Sequence, residues 1–382
     1  MIDFDKKVNR SGTGAVKWDW YKDRDILPMW VADMDFTSPP AVIEALKQRA
    51  EHGVFGYTWH TRELVDVIIE RLHRLYQWQV QPEWIVWLSG LVSGLNVTCR
   101  AIGEHGDSVV TTIPVYPPFL SAPQNQDRTL ATFMMAKNNG DWQFDLDAFE
   151  KAISPTSCLF ILCNPHNPLG RIFTRNELLN VAEVCEKHDL IICSDEIHCD
   201  LLLDRDKSHI PTATLAPEIA ERTITLMAPS KTFNIAGLGL SFAIISNEGL
   251  RKKFERAKQG IVPYPNLFGY TAALAAYKEG HVWLQQVLDY LRENARIVYE
   301  RINGLSGLFT TPVEATYLAW IDARHLPIEN AHKFFENAGV GLSDGREFNG
   351  PGYLRLNFGC PRRMLADALD RMSDAIQRLE SA

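Results

Sequence analysis

The sequence predicts an α/β protein with a largely parallel sheet that helices cover on both faces. Between about residues 85 and 250, short apolar runs alternate with amphipathic stretches. This strand–helix–strand spacing implies right-handed crossovers, which place helices on both sides of a sheet. After residue 280 the pattern changes, because a long amphipathic segment at 282–302 leads into the short runs TYLAWID and YLRLNFG. We therefore expect a second, smaller α+β lobe.

Individual elements follow from the apolar runs and their flanking residues. The runs expected in the sheet are 108–114, 158–165, 190–196, 223–229 and 241–247. A helix is expected at about 93–104 and another at 174–189. Thr174 and Glu177 have the spacing of a capping box at the start of the second helix.

Length and composition narrow the class of protein. A chain of 382 residues is too long for one simple core. We expect a large domain at 46–280 and a small domain made of 1–45 and 281–382. With 46% hydrophobic and 23% charged residues, the chain has the composition of a soluble globular protein. The net charge of −8 and the lack of a long basic run argue against nucleic acid or an anionic membrane as partner.

The sequence also bears on location and on cysteine chemistry. No apolar stretch approaches the roughly 18 residues that a membrane span needs, and the start, MIDFDKKVNR, has no apolar signal core. A cytoplasmic protein is therefore expected. The seven cysteines form no CxxC pair, so reduced core thiols are favoured over disulfides or zinc.

Ligands of open α/β sheets bind beyond the carboxyl ends of the strands, so polar groups after apolar runs are informative. SGLVSGL (89–95) is a glycine-containing turn that would expose backbone N–H groups at a helix start, which suits a phosphate. A purely structural tight turn explains it as well. Tyr116 stands between prolines after 108–114 and could stack on a flat ring, or simply pack in its loop.

Two more loops follow buried runs. CNPHNPLG carries Asn164 and Asn167, whose amides could bond a ring substituent, although such residues also form ordinary turns. Asp195 ends the next run, and a buried carboxylate there needs a cationic partner such as a protonated ring nitrogen. His198 is three residues on. A metal site of Asp195, His198 and Asp200 would need a further firm ligand, and the spacing offers none.

Lys231 is the one charged residue in MAPSKTFNIAGL and lies just after the run at 223–229. Near the mouth of a buried sheet, desolvation lowers the pKa of a lysine, and such an amine can form a Schiff base. The alternative is a salt-bridged structural lysine. Taken together, a phosphate turn, an aromatic, an asparagine loop, an aspartate and a lysine in this order predict a site for pyridoxal 5′-phosphate.

At these residues the chain resembles the fold-type I pyridoxal-phosphate enzymes over essentially its whole length. The resemblance implies a large domain with a mainly parallel seven-stranded sheet and a small α+β domain. It rests on the NP-x-NP-x-G loop, the aspartate before the lysine, S-K-T-F, and the arginine of YLRLNFG. Within that superfamily the chain is most similar to the MalY/PatB group of cysteine-sulfur β-lyases, through MWVADMDF, GVFGYT, NPHNP, SDEIHCD and APSKTFNIAGL.

The resemblance implies a role for each site residue. Lys231 would form the Schiff base, Asp195 would pair with the pyridine nitrogen and Tyr116 would stack on the ring, as the catalytic set. Cofactor binding would also use Asn167 and His198 at the phenolic oxygen, and Gly90, Leu91, Val92 and Ser230 at the phosphate. Tyr57 would reach the phosphate in a neighbouring subunit, which implies a homodimer with shared sites. Arg355 would clamp the substrate carboxylate, with Asn167 and the backbone near Ala32.

Two positions depart from the common aminotransferase pattern. Leu169 replaces the threonine of NPTG, and Gly239 stands where a phosphate-binding arginine follows the lysine by eight residues. The loss of that arginine leaves less positive charge at the phosphate and fits the lyase group better.

The implied function is a pyridoxal-phosphate-dependent carbon–sulfur β-lyase. It would cleave L-cystathionine or cysteine S-conjugates to a thiol, pyruvate and ammonia. A class I/II aminotransferase is the alternative enzyme, because the same residues serve both reactions. A cofactor-binding regulator that acts through a protein partner is the alternative of another class.

Overall fold

A seven-stranded sheet forms the centre of the chain in the computed structural model, which describes residues 2–138 and 140–381. The strands are β1 (Leu27–Pro28), β2 (Ile85–Leu88), β3 (Ser108–Ile113), β4 (Thr129–Met134), β5 (Ala136–Asn138), β6 (Asp141–Gln143), β7 (Ser157–Cys163), β8 (Ile191–Asp195), β9 (Thr223–Met227), β10 (Ser241–Ile244), β11 (Phe309–Thr310), β12 (Leu318–Asp322), β13 (Val340–Gly341), β14 (Ser343–Asp344) and β15 (Tyr353–Asn357).

The helices lie between and after these strands. They are α1 (Val16–Asp19), α2 (Pro40–Glu51), α3 (Arg62–Tyr76), α4 (Leu91–Ala101), α5 (Pro117–Asn125), α6 (Leu146–Ala152), α7 (Arg175–Lys187), α8 (Pro217–Glu221), α9 (Glu248–Lys258), α10 (Leu267–Glu279), α11 (His281–Asn303), α12 (Ala331–Asn337) and α13 (Arg362–Glu380).

The central sheet has the strand order β2-β10-β9-β8-β7-β3-β4. Its strands run parallel to one another except β10, which is antiparallel to both of its neighbours, β2 and β9. The prediction of a mainly parallel sheet is confirmed. The run at 241–247 returns antiparallel because residues 228–240 form no crossover helix between β9 and β10.

Helix starts follow from local sequence. At α7 the Thr174 hydroxyl accepts from the Glu177 amide at 3.3 Å, and the Glu177 carboxylate accepts from the Thr174 amide at 2.9 Å. The predicted capping box is therefore present. Helix α4 begins at Leu91, two residues before the expected start, and Gly90 at its N-cap offers no side chain to cap it. Its first amide groups are left available to an outside acceptor.

A second sheet lies in the C-terminal part of the chain, with the order β11-β12-β15-β14 and antiparallel pairing throughout. Helices α11 and α13 pack with it around Trp283 and Leu365, which are almost fully buried. Residues of the N-terminal segment, among them Phe4 and Met34, belong to the same core. Burying such side chains contributes about 1.5–3 kcal/mol each, so this core fixes the segment that precedes α2.

The seven cysteines are free thiols, and all of them lie within the described ranges; only Cys158 is not fully buried. This agrees with core thiols. Across residues 2–138 and 140–381, no helix combines the length and apolar character that a bilayer crossing demands.

Candidate active site

A cavity of about 180 Å³ opens beyond the carboxyl ends of the parallel strands. The predicted residues in its wall are Ala32, Gly90, Leu91, Val92, Tyr116, Asn167, Asp195, His198, Ser230 and Lys231. They come from six separate stretches of the chain. The topology brings them together because β2, β3, β7, β8 and β9 all end at this edge of the sheet.

Lys231 lies in the turn after β9, and its amine points into the cavity. Nζ donates a hydrogen bond to the carbonyl oxygen of Ala32 at 2.6 Å. Burial lowers the pKa of Lys231 to about 8, against the opposing attraction of Asp33. An amine of this kind is partly neutral near physiological pH and can act as a nucleophile or a base. The salt-bridged structural lysine is not what the structure shows.

Asp195 is the last residue of β8 and is 5% exposed. Its Oδ1 accepts from the amide of Ile197 at 3.1 Å. Burial raises the pKa of Asp195 to about 7, and the neighbouring Glu196 adds to the effect. Removing a carboxylate from water without a close cation is costly. This site therefore fits a ligand that brings its own positive charge.

His198 faces the same cavity and is 2% exposed. Burial lowers the pKa of His198 to about 3, so the imidazole is neutral. Within the described part of the chain, its Nδ1 has no hydrogen-bond partner. A buried polar atom without a partner is uncommon in folded proteins. His198 is therefore available to bond a polar group on a ligand.

Arg355 lies on β15 and does not line the cavity itself, but it bonds Asn167, which does. Its Nη1 donates to Asn167 Oδ1 at 3.0 Å, and its Nη2 donates to the Trp30 carbonyl at 2.8 Å. Nη2 also reaches Ser343 Oγ at 3.2 Å. Burial lowers the pKa of Arg355 to about 10, which still leaves the guanidinium charged at neutral pH. The structure thus joins the predicted carboxylate clamp directly to the asparagine loop.

The start of α4 forms the opposite end of the cavity. Gly90, Leu91 and Val92 line it together with Ser230. A Cβ at Gly90 would meet no atom within 4 Å, so there is free space in front of the helix. The uncapped amides and the helix dipole make this end attractive to an anion.

Gly239, the position that departs from the aminotransferase pattern, also lines this cavity. It has φ +60°, and a Cβ there would lie 3.1 Å from the Ser89 carbonyl oxygen. A left-handed backbone with so little room favours glycine over an arginine. The phosphate end of the site is therefore built from backbone amides and Ser230, without a guanidinium at this position.

Tyr116 and Tyr57 differ in placement. Tyr116 is the N-cap of α5, lines the cavity, and its amide donates to the Asn167 carbonyl at 3.1 Å. Burial raises the pKa of Tyr116, so its phenol is neutral. Tyr57 is fully exposed and lies outside the cavity of its own chain.

Three further residues hold the segment 30–36 over the cavity, and no sequence signal singled them out. The Tyr317 hydroxyl donates to the Ala32 carbonyl at 2.9 Å. The Asn357 amide donates to the carbonyls of residues 31 and 33, and the Asn234 amide to those of residues 34 and 36. Their targets are backbone oxygens, which a sequence does not reveal.

Comparison with known proteins finds relatives that match nearly the whole chain. The family model for aminotransferase class I and II matches residues 24–372. The chain is 37% identical to cystathionine beta-lyase PatB of Bacillus subtilis (strain 168), over 98% of this chain and all of that protein. A crystal structure of OvoB superposes with a TM-score of 0.96 at 45% identity, covering 98% of this chain and 99% of that one. The PLP-bound C-S lyase from Staphylococcus hominis superposes with a TM-score of 0.92 at 32% identity, covering 98% of each chain. The chain belongs to the aminotransferase class I and II family.

Proposed function

We propose that this protein is a pyridoxal-phosphate-dependent carbon–sulfur β-lyase that acts on L-cystathionine or a cysteine S-conjugate. The observation that carries the proposal is a reactive lysine and an uncompensated buried aspartate in one cavity, Lys231 and Asp195. Relatives that span the chain are named as cystathionine beta-lyase and as a PLP-bound C-S lyase.

The residues present fit pyridoxal 5′-phosphate group by group. Lys231 would hold the aldehyde, and Asp195 would face the ring nitrogen that supplies its missing cation. Asn167 and His198 would bond the phenolic oxygen. The cofactor would thereby bring a polar group to His198, whose Nδ1 has no hydrogen-bond partner among the described residues. Tyr116 would stack on the ring. The phosphate would bind at the start of α4, at Gly90, Leu91, Val92 and Ser230.

When bound, the cofactor supplies an electron sink for the carbanion at the substrate Cα. The Lys231 amine removes the Cα proton as a general base, for which its pKa of about 8 is suited. Asp195, ionised beside a cationic nitrogen, keeps that nitrogen protonated. Arg355 orients the substrate carboxylate by a bidentate contact, with Asn167 beside it. The thiolate would leave Cβ and take up a proton to become the thiol, and water would hydrolyse the remaining three-carbon unit to pyruvate and ammonia.

We further propose a cytoplasmic protein whose large domain spans 46–280, the part of the chain that carries the seven-stranded sheet. We also propose that it works as a homodimer in which Tyr57 reaches the neighbouring subunit's site. Exposed apolar side chains support an interface there: Val54, Phe55 and Trp59, which flank Tyr57 in sequence, are each 59% or more exposed, and Tyr264 packs on Trp59 with ring centroids 4.6 Å apart. Contiguous apolar surface of this kind is typical of an interaction site.

An aminotransferase would use the same lysine, aspartate and arginine. The glycine at position 239 favours the lyase, because the phosphate lacks the guanidinium that the aminotransferase pattern supplies there.

The test is to mix cofactor-loaded protein with L-cystathionine without any keto acid, and to measure pyruvate and free thiol. Equal amounts of both are expected, and Lys231→Ala should form neither. Conversion of the cofactor to its amine form without thiol release would refute the lyase and establish amino transfer.

A further inference from the structure

The carbonyl oxygen of Ala32 accepts two hydrogen bonds from distant parts of the chain. One comes from Lys231 Nζ at 2.6 Å and the other from the Tyr317 hydroxyl at 2.9 Å. The two donors are 199 and 285 positions away from Ala32 in sequence. A carbonyl oxygen has two lone pairs, so this acceptor is fully used.

The carbonyls on either side of Ala32 are held as well. Asn357 Nδ2 donates to the Val31 oxygen at 2.5 Å and to the Asp33 oxygen at 2.7 Å. Asn357 ends β15 and is paired with Leu318, the residue after Tyr317. Two neighbouring side chains, one at the end of β15 and one just before β12, therefore hold three successive carbonyls at the cavity.

Tyr317 is suited to hold an acceptor and unsuited to contact a substrate. It is 1% exposed and does not line the cavity. Burial raises the pKa of Tyr317 well above its ordinary value, so the hydroxyl remains a neutral donor. Its ring forms a T-shaped pair with His198 at a centroid distance of 6.4 Å.

We propose that Tyr317 is a positioning residue, whose hydroxyl fixes the Ala32 carbonyl as the acceptor to which the Lys231 amine returns whenever that amine is free. The inference rests on the proposed function, in which Lys231 is released when substrate binds. A free lysine side chain has four rotatable bonds, and holding its end recovers the orientation that proton transfer requires. With one N–H directed at Ala32, the amine keeps its lone pair for the substrate Cα proton.

The experiment compares the cofactor-loaded wild type with Tyr317→Phe, which removes one oxygen and keeps the ring. Loss of one hydrogen bond that positions the base should lower kcat about five- to tenfold, with KM within about twofold. The isotope effect with Cα-deuterated substrate should increase. Independently of activity, backbone amide hydrogen exchange of residues 29–36 should become faster while exchange elsewhere is unchanged.

Tyr353→Phe is the matched control, because Tyr353 is a buried tyrosine of the small sheet whose ring stacks on Trp320 with centroids 5.2 Å apart, away from the 30–36 segment. It should change neither kcat nor exchange at 29–36. Wild-type kcat and unchanged local exchange in Tyr317→Phe would overturn the proposal. So would faster exchange throughout the chain, since that marks a merely structural hydroxyl. If the wild type releases no thiol, the proposed function is refuted. The hydrogen-exchange comparison would still test whether the Tyr317 hydroxyl holds the Ala32 carbonyl.

Discussion

Replacing Asp195 by asparagine should stabilise the cofactor-free protein at alkaline pH while it removes lyase activity. The carboxylate is buried, and its pKa is raised to about 7 in the fold because burial disfavours the charged form. An aspartate in an unfolded chain has a pKa of about 3.9. The folded state therefore holds a proton at intermediate pH that the unfolded state has lost.

The direction in which stability changes with pH follows from this difference in pKa. Below pH 4 the carboxyl is protonated in both states and contributes nothing to the pH dependence. Between pH 4 and pH 7 the folded state binds more protons, so stability falls as pH rises, by up to about 1.4 kcal/mol per pH unit. Well above pH 7 the stability contributed by this carboxyl has been lost. From pH 5 to pH 8 the wild type should therefore lose about 3 kcal/mol through this one group, and the asparagine variant should not.

The assay is urea unfolding of cofactor-free wild type and Asp195→Asn at pH 5 and pH 8. The unfolding free energy of the variant minus that of the wild type should rise by about 3 kcal/mol between the two pH values. Any constant cost of burying the amide cancels in this comparison. Asp66→Asn, at an exposed carboxylate, should show no such rise. A difference that stays constant between pH 5 and pH 8 would refute the argument that Asp195 is an uncompensated buried acid.

Three further outcomes are expected. Asp200→Asn should lower the unfolding free energy by about 3–5 kcal/mol in urea denaturation, because Arg71 donates to Asp200 at 2.5 Å in a buried pair, and Thr232, beside Lys231, also donates to Asp200. Glu248→Gln, in a solvent-exposed ion pair with Lys252, should leave the same denaturation midpoint nearly unchanged. Arg355→Lys should raise KM for the amino acid by about tenfold or more, since an ammonium cannot reproduce a bidentate contact, and an unchanged KM in steady-state kinetics would remove Arg355 from the carboxylate site. Mixing Lys231→Ala with Tyr57→Ala should restore about a quarter of wild-type activity, because a mixed dimer with shared sites has one site free of both changes, whereas unmixed samples should stay inactive and no recovery would argue against shared sites.

The residues that follow buried strands were the most accessible to prediction. Asp195 and Lys231 lie at or just after the ends of apolar runs. Because parallel strands have their carboxyl ends at one edge of the sheet, a cavity shared by the two residues could be expected. The direction of β10 was harder, because periodicity reports burial and not polarity of the strand. The helix at α4 starts two residues early because Gly90 can serve as its N-cap without a side chain.

Contacts to backbone oxygens could not be predicted at all. Tyr317 lies in the run TYLAWID, where it is one more apolar position of a strand-like pattern. Its function as a donor depends on where Ala32 lies, and that position is fixed only by the tertiary fold. The contact of Arg355 with Asn167 also depends on the tertiary fold, because it joins β15 of the small sheet to the loop that follows β7 of the large sheet.

The bond between Arg355 and the Trp30 carbonyl spans 325 positions of the chain. Contacts of such long sequence separation form late, after the loop entropy between them has been lost. During synthesis the sheet from β2 to β10 can leave the ribosome well before residue 355 has been added. The proposed carboxylate site for the substrate is therefore complete only after the polypeptide has been synthesised through β15. A chain that ends before that point would contain Lys231 and Asp195 but would lack the arginine that binds the amino acid's carboxylate.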